Sequence, residues 1–325
     1  MKLKLRALVV IALALALLGP RVTGAAATAQ EEQILPATIL YAAAGQTGYP
    51  EIHLMRENGD HFARLTYYKG EDLSPVWSPD GERVAFIRDS DPRPPKVAGD
   101  ILQDLRANYD LYLMAADGSN VVRLTQEQTA EDSPQWSPDG SSIAYISGHG
   151  ENSDNFDVFV MDLDSGESRN ITDDPADDYD PSWSPDGSTL AFYSRYRPCD
   201  EPCDPSQTDI YTIPAAGGEP TLLTGPEFDD TDPAWSPNGT RMFFSRAACC
   251  QFDLWSMEAD GSDAVRLTRT RKADEGNISW STGTDRFVFE RATGHRSSIW
   301  MMDLGSGTGT RLTPKRQFAF TADWR

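Results

Sequence analysis

Apolar residues occur along this chain in short runs, and glycine or proline separates one run from the next. Residues 83–87 and 189–193 are typical runs, each rich in β-branched or aromatic side chains. Runs of this length, bounded by turn residues, predict β-strands. The chain has 22 prolines and 25 glycines at a regular spacing, so the pattern predicts many short strands joined by turns.

One motif recurs at nearly constant intervals. Ser-Pro-Val-Trp-Ser-Pro-Asp-Gly occupies residues 74–81, and close copies begin at positions 133, 180 and 232. A degenerate copy spans residues 277–283, and a truncated copy ends the chain. The aligned tryptophans, 44 to 59 residues apart, are Trp77, Trp136, Trp183, Trp235, Trp280 and Trp324. A basal unit of about 44 residues is the size of a four-stranded propeller blade.

Every unit has the same internal order. A strand ending in tryptophan leads into Ser-Pro-Asp-Gly, in which proline presets φ and glycine accepts a positive φ, so this segment predicts a tight turn. A second strand, a variable loop, a third strand and a second glycine turn follow. The unit closes on Arg-Leu-Thr or a variant of it. We expect the tryptophans to fill the wedges between neighbouring blades and the turn aspartates to bind local backbone.

These units resemble the β-propeller repeat of the TolB family, which shares the Ser-Pro-x-Trp-Ser-Pro-Asp-Gly, Asp-Ile-Tyr, Asp-Gly-Ser and Arg-Leu-Thr pattern. The resemblance covers nearly all of residues 37–325. It implies an all-β fold, a six-bladed β-propeller of four-stranded antiparallel blades. TolB proteins carry a separate α/β domain before the propeller, and this chain has only a few residues there. A TolB role in envelope integrity therefore does not follow from the resemblance.

The two ends of the repeat region are complementary. Residues 38–66 read as strands two, three and four of a unit without the tryptophan strand. Residues 318–324 read as a tryptophan strand without partners. We therefore predict that these ends pair in one sheet, which completes a sixth blade, removes open strand edges and defines a propeller domain over residues 38–325.

The first 29 residues have the order of a secretory signal peptide. Three basic residues come first: Lys2, Lys4 and Arg6. An apolar run over residues 7–18 follows, and small residues occupy 27–29. This order predicts cleavage after Ala29, a short linker over residues 30–37, a secreted or periplasmic location, and no membrane insertion after cleavage. An uncleaved membrane anchor is the alternative.

Charge restricts the partners. Loss of the four basic residues in 1–29 would take the formal charge from −21 to −25. Such a chain repels nucleic acid, so we expect no nucleic acid partner. We expect instead a protein partner or a small cationic, peptide or sugar ligand. We also expect the chain to be a monomer. The alternative is that the acidity only maintains solubility.

Acidic residues recur five positions before the tryptophan: Asp72, Glu131, Asp178, Asp230 and Glu275. By symmetry we expect them to circle the mouth of the central channel on the face with the variable loops. Several oxygen ligands in a ring suit a hard cation, so Ca²⁺ is the candidate, although no calcium-loop spacing is present. The alternative is that these carboxylates are merely solvated.

The four cysteines are Cys199, Cys203, Cys249 and Cys250, in equivalent loops of adjacent units. A secreted chain favours disulfides. A bridge between adjacent residues is strained, so we predict two bridges that join the loops, with the pairing open between the two possibilities. The spacing is poor for zinc, the other interpretation.

Catalytic motifs are missing from the sequence: there is no Gly-x-Ser-x-Gly, no His-Glu-x-x-His and no phosphate loop. We therefore predict a non-catalytic binding scaffold that uses the variable loops. The alternative is a carbohydrate-active hydrolase or lyase with paired carboxylates at the channel mouth.

Overall fold

Every regular element in the described part of the chain is a β-strand. The computed structural model describes residues 38–44, 49–90, 109–126, 129–149, 155–195, 207–247, 251–281, 283–294, 296–315 and 317–325. The strands form six sheets of four, which confirms the predicted all-β, six-bladed propeller. The described residues contain no helix with the length and apolarity that a bilayer crossing requires.

Each blade places its tryptophan strand innermost and its shortest strand outermost, with all neighbours antiparallel. Blade 1 contains β4 (Asp72–Trp77), β5 (Arg83–Asp89), β6 (Tyr109–Ala115) and β7 (Val122–Arg123). Blade 2 contains β8 (Glu131–Trp136), β9 (Ser142–His149), β10 (Asn155–Asp162) and β11 (Ser168–Asn170). Blade 3 contains β12 (Asp178–Trp183), β13 (Thr189–Ser194), β14 (Asp209–Pro214) and β15 (Thr221–Leu222).

The remaining three blades follow the same plan. Blade 4 contains β16 (Asp229–Trp235), β17 (Arg241–Ala247), β18 (Phe252–Glu258) and β19 (Val265–Arg266). Blade 5 contains β20 (Asp274–Trp280), β21 (Arg286–Thr293), β22 (Arg296–Asp303) and β23 (Thr308–Arg311). Blade 6 contains β24 (Ala319–Trp324), β1 (Thr38–Ala44), β2 (Pro50–Arg56) and β3 (His61–Arg64).

Blade 6 closes the ring as predicted, because β24 pairs with β1 from Ile39↔Trp324 to Ala43↔Ala319. Asp323 of β24 ties this blade to both neighbours. Its carboxylate accepts a hydrogen bond from the Trp77 backbone N–H of blade 1 at 2.7 Å and from the hydroxyl of Ser279 in blade 5 at 2.5 Å. The last strand of the chain is therefore held by three blades.

The core is divided among the gaps between blades, and each of the six gaps has its own apolar cluster. Between blades 6 and 1, for example, Leu40 and Ile52 pack against Trp77 and Phe86. The second strand of a blade buries both of its faces, since a blade lies on either side of it. For this reason residues 84–87 are apolar without alternation.

The tryptophans fill the wedges between blades. The Nε1–H of Trp77 donates to the Thr38 carbonyl of blade 6 at 3.3 Å, and that of Trp136 donates to the Val76 carbonyl of blade 1 at 3.3 Å. Trp183 reaches blade 2 in the same way. This confirms the structural role predicted for the repeated tryptophans, although Trp183 remains half-buried.

The Ser-Pro-Asp-Gly turns satisfy their own polar groups. In blade 2, Asp139 Oδ1 accepts hydrogen bonds from the Ser137 hydroxyl at 2.7 Å and from the Ser141 backbone N–H at 3.0 Å. The equivalent bonds around Asp186 lower its pKa to about 2. The predicted local role of the turn aspartates is confirmed, and these carboxylates are committed to the backbone.

Candidate binding face and central channel

Antiparallel blades put two kinds of connection on each side of the ring. The tight turns lie on one side, called here the turn face. The loops after each second strand and the connections into each tryptophan strand lie on the other, called here the variable face. Parts of these loops lie outside the described residues, among them 91–108, 196–206 and 248–250. All four cysteines fall in the last two segments, so their predicted pairing stays a prediction.

The five acidic residues five positions before the tryptophans lie at or near the start of the innermost strands, on the variable-face side. They are not solvated: each is exposed by 2% or less. The interpretation as solvated loop carboxylates is therefore wrong. The reason is local, because each one faces the end of the second strand of its own blade, where three blades supply an arginine.

Arginines neutralise three of these carboxylates. Arg88 binds Asp72 through two hydrogen bonds of 2.6 and 3.0 Å, and Arg246 binds Asp230 through two of 2.6 and 2.8 Å. Arg291 Nε lies 2.6 Å from Glu275 Oε1. Bidentate pairs of this kind hold the carboxylate in one orientation. These three carboxylates are therefore bonded within their own blades.

Glu131 and Asp178 face serines in place of arginines, namely Ser147 and Ser194. Burial raises the pKa of Glu131 to about 7, although the Thr125 hydroxyl donates to it at 2.7 Å. Burial likewise raises the pKa of Asp178 to about 7. Both groups therefore hold a proton to a higher pH than a solvent-exposed carboxyl does.

A cation at this ring stays a prediction that the geometry does not favour. The carboxylates are buried within their own blades, and three of them are already paired with an arginine. In the described part of the chain, no group of three or more His, Cys, Asp or Glu residues could hold a metal ion. The sixth position of the ring contains Ala319 opposite Ala43, so the fold does not need a charge there.

The central channel is lined by a different ring, two residues further along each inner strand. All six of these residues have a left-handed backbone, with φ between 41° and 52°: Ser74, Ser133, Asp180, Asp232, Asn277 and Thr321. Each sits at a β-bulge where the inner strand shifts register against its neighbour. A bulge re-aims a side chain, and all six residues line a central cavity of about 120 Å³.

This ring was not predicted from the sequence. The available signal was a polar residue three positions before every tryptophan, in a strand that is otherwise mostly buried. Four of the six precede proline. Asp, Asn and Ser tolerate turn-like backbone conformations better than most residues, so the recurrence could have indicated a bulge.

Hydrogen bonds join the channel residues Ser74 and Ser133 to the next blade. The Ser74 hydroxyl donates to Asp132 at 2.7 Å, and the Ser133 hydroxyl donates to Asp180 at 2.5 Å. Burial, together with the neighbouring Asp232 carboxylate, raises the pKa of Asp180 well above its usual range. The channel is therefore narrow, polar and internally bonded.

The variable face also carries exposed aromatic side chains. Tyr67, Phe228 and Phe318 are 73%, 36% and 43% exposed, and each lies in a connection that leads into a tryptophan strand. A guanidinium supports two of them: Arg64 stacks on Tyr67 at 4.1 Å and Arg246 on Phe228 at 5.1 Å. The other exposed large apolar residues in the described ranges lie at the outer rim: Val121, Val122, Leu222 and Val265.

Comparison with known proteins identifies the family of this propeller. The model of the TolB beta propeller domain family matches residues 97–319. The chain belongs to that family. A TolB homolog from Chlorobium luteolum is 27% identical over 129 residues, which are 31% of this chain and 30% of the relative. An uncharacterized protein from Agrobacterium fabrum, Atu1656, is 33% identical over 111 residues, 33% of this chain and 35% of that one.

Solved structures show the same fold for this family member. TolB from Acinetobacter baumannii superposes with a TM-score of 0.71 at 18% identity, covering 89% of this chain and 66% of that one. The two relatives from Chlorobium luteolum and Agrobacterium fabrum are matched over about a third of their length. The comparisons therefore establish the propeller and its family.

Proposed function

We propose that this chain is an extracytoplasmic, non-catalytic propeller that holds a partner protein against its variable face. The observation that carries the proposal is the distribution of exposed aromatic side chains. Tyr67, Phe228 and Phe318 all lie on the variable face. Aromatic residues are enriched in protein interfaces and supply much of their binding energy.

Two of these aromatics are held in place before any partner arrives. The guanidinium of Arg64 stacks on Tyr67, and that of Arg246, itself bound to Asp230, stacks on Phe228. Side chains fixed in this way lose less conformational entropy on binding. The Arg246–Asp230 ion pair at the start of the inner strand of blade 4 thus supports an aromatic side chain of the variable face.

The turn face is less suited to binding a partner. Its aspartates are bonded to the adjacent serine hydroxyls and backbone N–H groups, as Asp139 and Asp186 show. A surface made of repeated, self-satisfied turns also has little variety for a partner to recognise. Binding residues are concentrated on variable loops over a rigid scaffold, which favours the opposite face.

The buried acids argue against the enzyme alternative. Glu131 and Asp178 have a pKa of about 7, which suits a general acid. Both are exposed by 1% or less, so a glycan substrate would not reach them. The extracytoplasmic location rests on the order of residues 1–29, with basic, apolar and small segments in turn.

Capture of a partner from the extracytoplasmic fraction of the source cells tests the proposal. The immobilised propeller is compared with a variant carrying Tyr67→Ala, Phe228→Ala and Phe318→Ala. The matched control removes apolar side chains from the outer rim: Val122→Ala, Leu222→Ala and Val265→Ala. Bound proteins are identified and quantified by mass spectrometry.

We expect one protein to be captured by the wild type and the rim variant and to fall at least tenfold with the aromatic variant. Equal capture by all three, or loss only with the rim variant, would contradict binding on the variable face. Turnover of a glycan by the purified chain would contradict the non-catalytic assignment.

A further inference from the structure

A pocket of about 280 Å³ opens on the variable face between blades 4 and 5, beside the channel. Its walls combine carboxylates with two aromatic rings, and it is called here the blade 4–5 pocket. Its lining residues used below are Tyr193, Asp232, Phe252, Glu275, Gly276 and Glu290. The pocket lies where the sixfold repeat is broken.

The break is Gly276, which stands four positions before the tryptophan of blade 5. The other blades have side chains at this position: Leu73, Asp132, Tyr179, Thr231 and Phe320. A Cβ at Gly276 would lie only 2.5 Å from Asp232 Oδ2 and 3.1 Å from Ser245 Oγ. Any larger residue would therefore displace the Asp232 carboxylate from the wall of the pocket.

A buried polar atom at this place has no hydrogen-bond partner among the described residues. Ser245 is fully buried, and its Oγ is unpaired next to Gly276. Glu275, which lines the pocket beside it, is bonded to Arg291 and to the Thr268 hydroxyl. An unsatisfied buried group costs roughly 1–3 kcal/mol, so such an atom indicates a place that a hydrogen-bond donor would complete.

The charge of the lining is entirely negative. Asp232, Asp274 and Glu290 contribute carboxylates besides Glu275, which Arg291 already neutralises, and none of the lining residues is lysine or arginine. Burial raises the pKa of Glu290, and burial with the nearby aspartates raises the pKa of Tyr193. A cation would relieve this unfavourable accumulation of acidic groups.

We infer that the blade 4–5 pocket binds an organic cation with N–H donors, namely a protonated alkylamine or a guanidinium group. The N–H donors would reach the Asp232 and Glu290 carboxylates, and the rings of Tyr193 and Phe252 suit the face of an organic cation. A bare metal ion fits less well, because no described group of three or more ligating residues could hold one. The inference rests on the proposed function, since it names one chemical group that the variable face recognises.

Isothermal titration calorimetry of the full chain with n-butylammonium and n-butylguanidinium tests this inference. 1-Butanol, of similar size and without charge, is the ligand control, and Ca²⁺ is titrated separately. We expect at least one of the two cations to bind at one site and 1-butanol not to bind. Asp232→Asn and Glu290→Gln should each weaken binding at least tenfold.

The matched control variant is Glu227→Gln, which removes an exposed carboxylate of the same face outside the pocket. It should change affinity less than twofold. Gly276→Ala provides a second variant that leaves every charge in place and should abolish binding by moving Asp232. Near-ultraviolet circular dichroism shows whether each variant retains its packing.

Absence of binding by both cations, equal weakening by Glu227→Gln and Glu290→Gln, or binding of Ca²⁺ alone at this pocket would each overturn the inference. Its failure is separable from that of the proposed function. Partner capture that depends on the three aromatics would survive the loss of cation binding. Conversely, cation binding without any captured partner would support the cation site in the pocket and would contradict the protein-binding role.

Discussion

Arg88 lies directly opposite Asp72 across the first two strands of blade 1, and its guanidinium donates two hydrogen bonds to a carboxylate that solvent does not reach. Blade 6 has Ala43 opposite Ala319 at the same place. The propeller therefore has a complete ion pair in blades 1, 4 and 5, no charge in blade 6, and in blades 2 and 3 an acid opposite a serine, with the pKa of the acid raised by burial to about 7. A single charge without its partner is the arrangement that should be costly.

The first prediction follows from this contrast. Arg88→Ala and Asp72→Ala should each destabilise the protein by roughly 3–5 kcal/mol, the range for breaking a buried pair, while the double variant should cost much less than their sum. Urea unfolding of the four proteins measures the coupling. As control, Arg195→Ala breaks the exposed pair with Asp177 and should cost less than about 1 kcal/mol. Additive costs for the Arg88 and Asp72 changes would contradict the interpretation.

The Arg88–Asp72 pair illustrates which features could be predicted from the sequence and which could not. Repetition predicted six blades and the closing strand because each unit is short and carries its own turn signals. The acidic positions were found, but their burial was not, since charged residues in loops are usually solvated. A signal was present, because Arg88, Arg246 and Arg291 each follow their acidic partner by 16 residues. The blade 4–5 pocket depends on atoms from separate blades, which no local pattern brings together.

The second prediction concerns the closing strand. Deleting residues 317–325 removes β24, exposes the edge of β1, and takes away the Asp323 carboxylate that binds blades 1 and 5. We expect a severe loss of stability and increased aggregation through the open edge. Thermal unfolding with size-exclusion chromatography provides the measurement. A truncated chain that melts like the full chain would show that closure does not depend on this strand.

The third prediction separates tryptophans that occupy the same repeat position. Trp136 is buried and bonded to blade 1, so Trp136→Ala should cost roughly 3–5 kcal/mol. Trp183 has the equivalent bond to blade 2 but is only half-buried, so Trp183→Ala should cost less. Denaturant unfolding compares them. The reverse order would mean that burial does not determine the contribution of the wedge tryptophans.

The fourth prediction concerns pH. Burial raises the pKa of Asp178 to about 7 from a usual value of 3.8, so the folded state binds this proton more tightly than the unfolded state. The stabilisation is complete below pH 3.8 and is lost as pH rises through 7. Asp178→Asn removes this dependence. Relative to wild type, the variant should gain about 1–3 kcal/mol between pH 5 and pH 8, measured by urea unfolding at both values.

Asp186 supplies the control for this pH experiment, because its pKa is about 2 and it stays ionised throughout that interval. Asp186→Asn loses the bonds to the turn, so it should destabilise the protein by a similar amount at pH 5 and at pH 8. A constant difference between wild type and Asp178→Asn would mean that Asp178 is ionised in the folded protein at both values. Its burial beside Ser194, with no arginine like that of blades 1, 4 and 5, would then have to be compensated by a charge from another part of the chain.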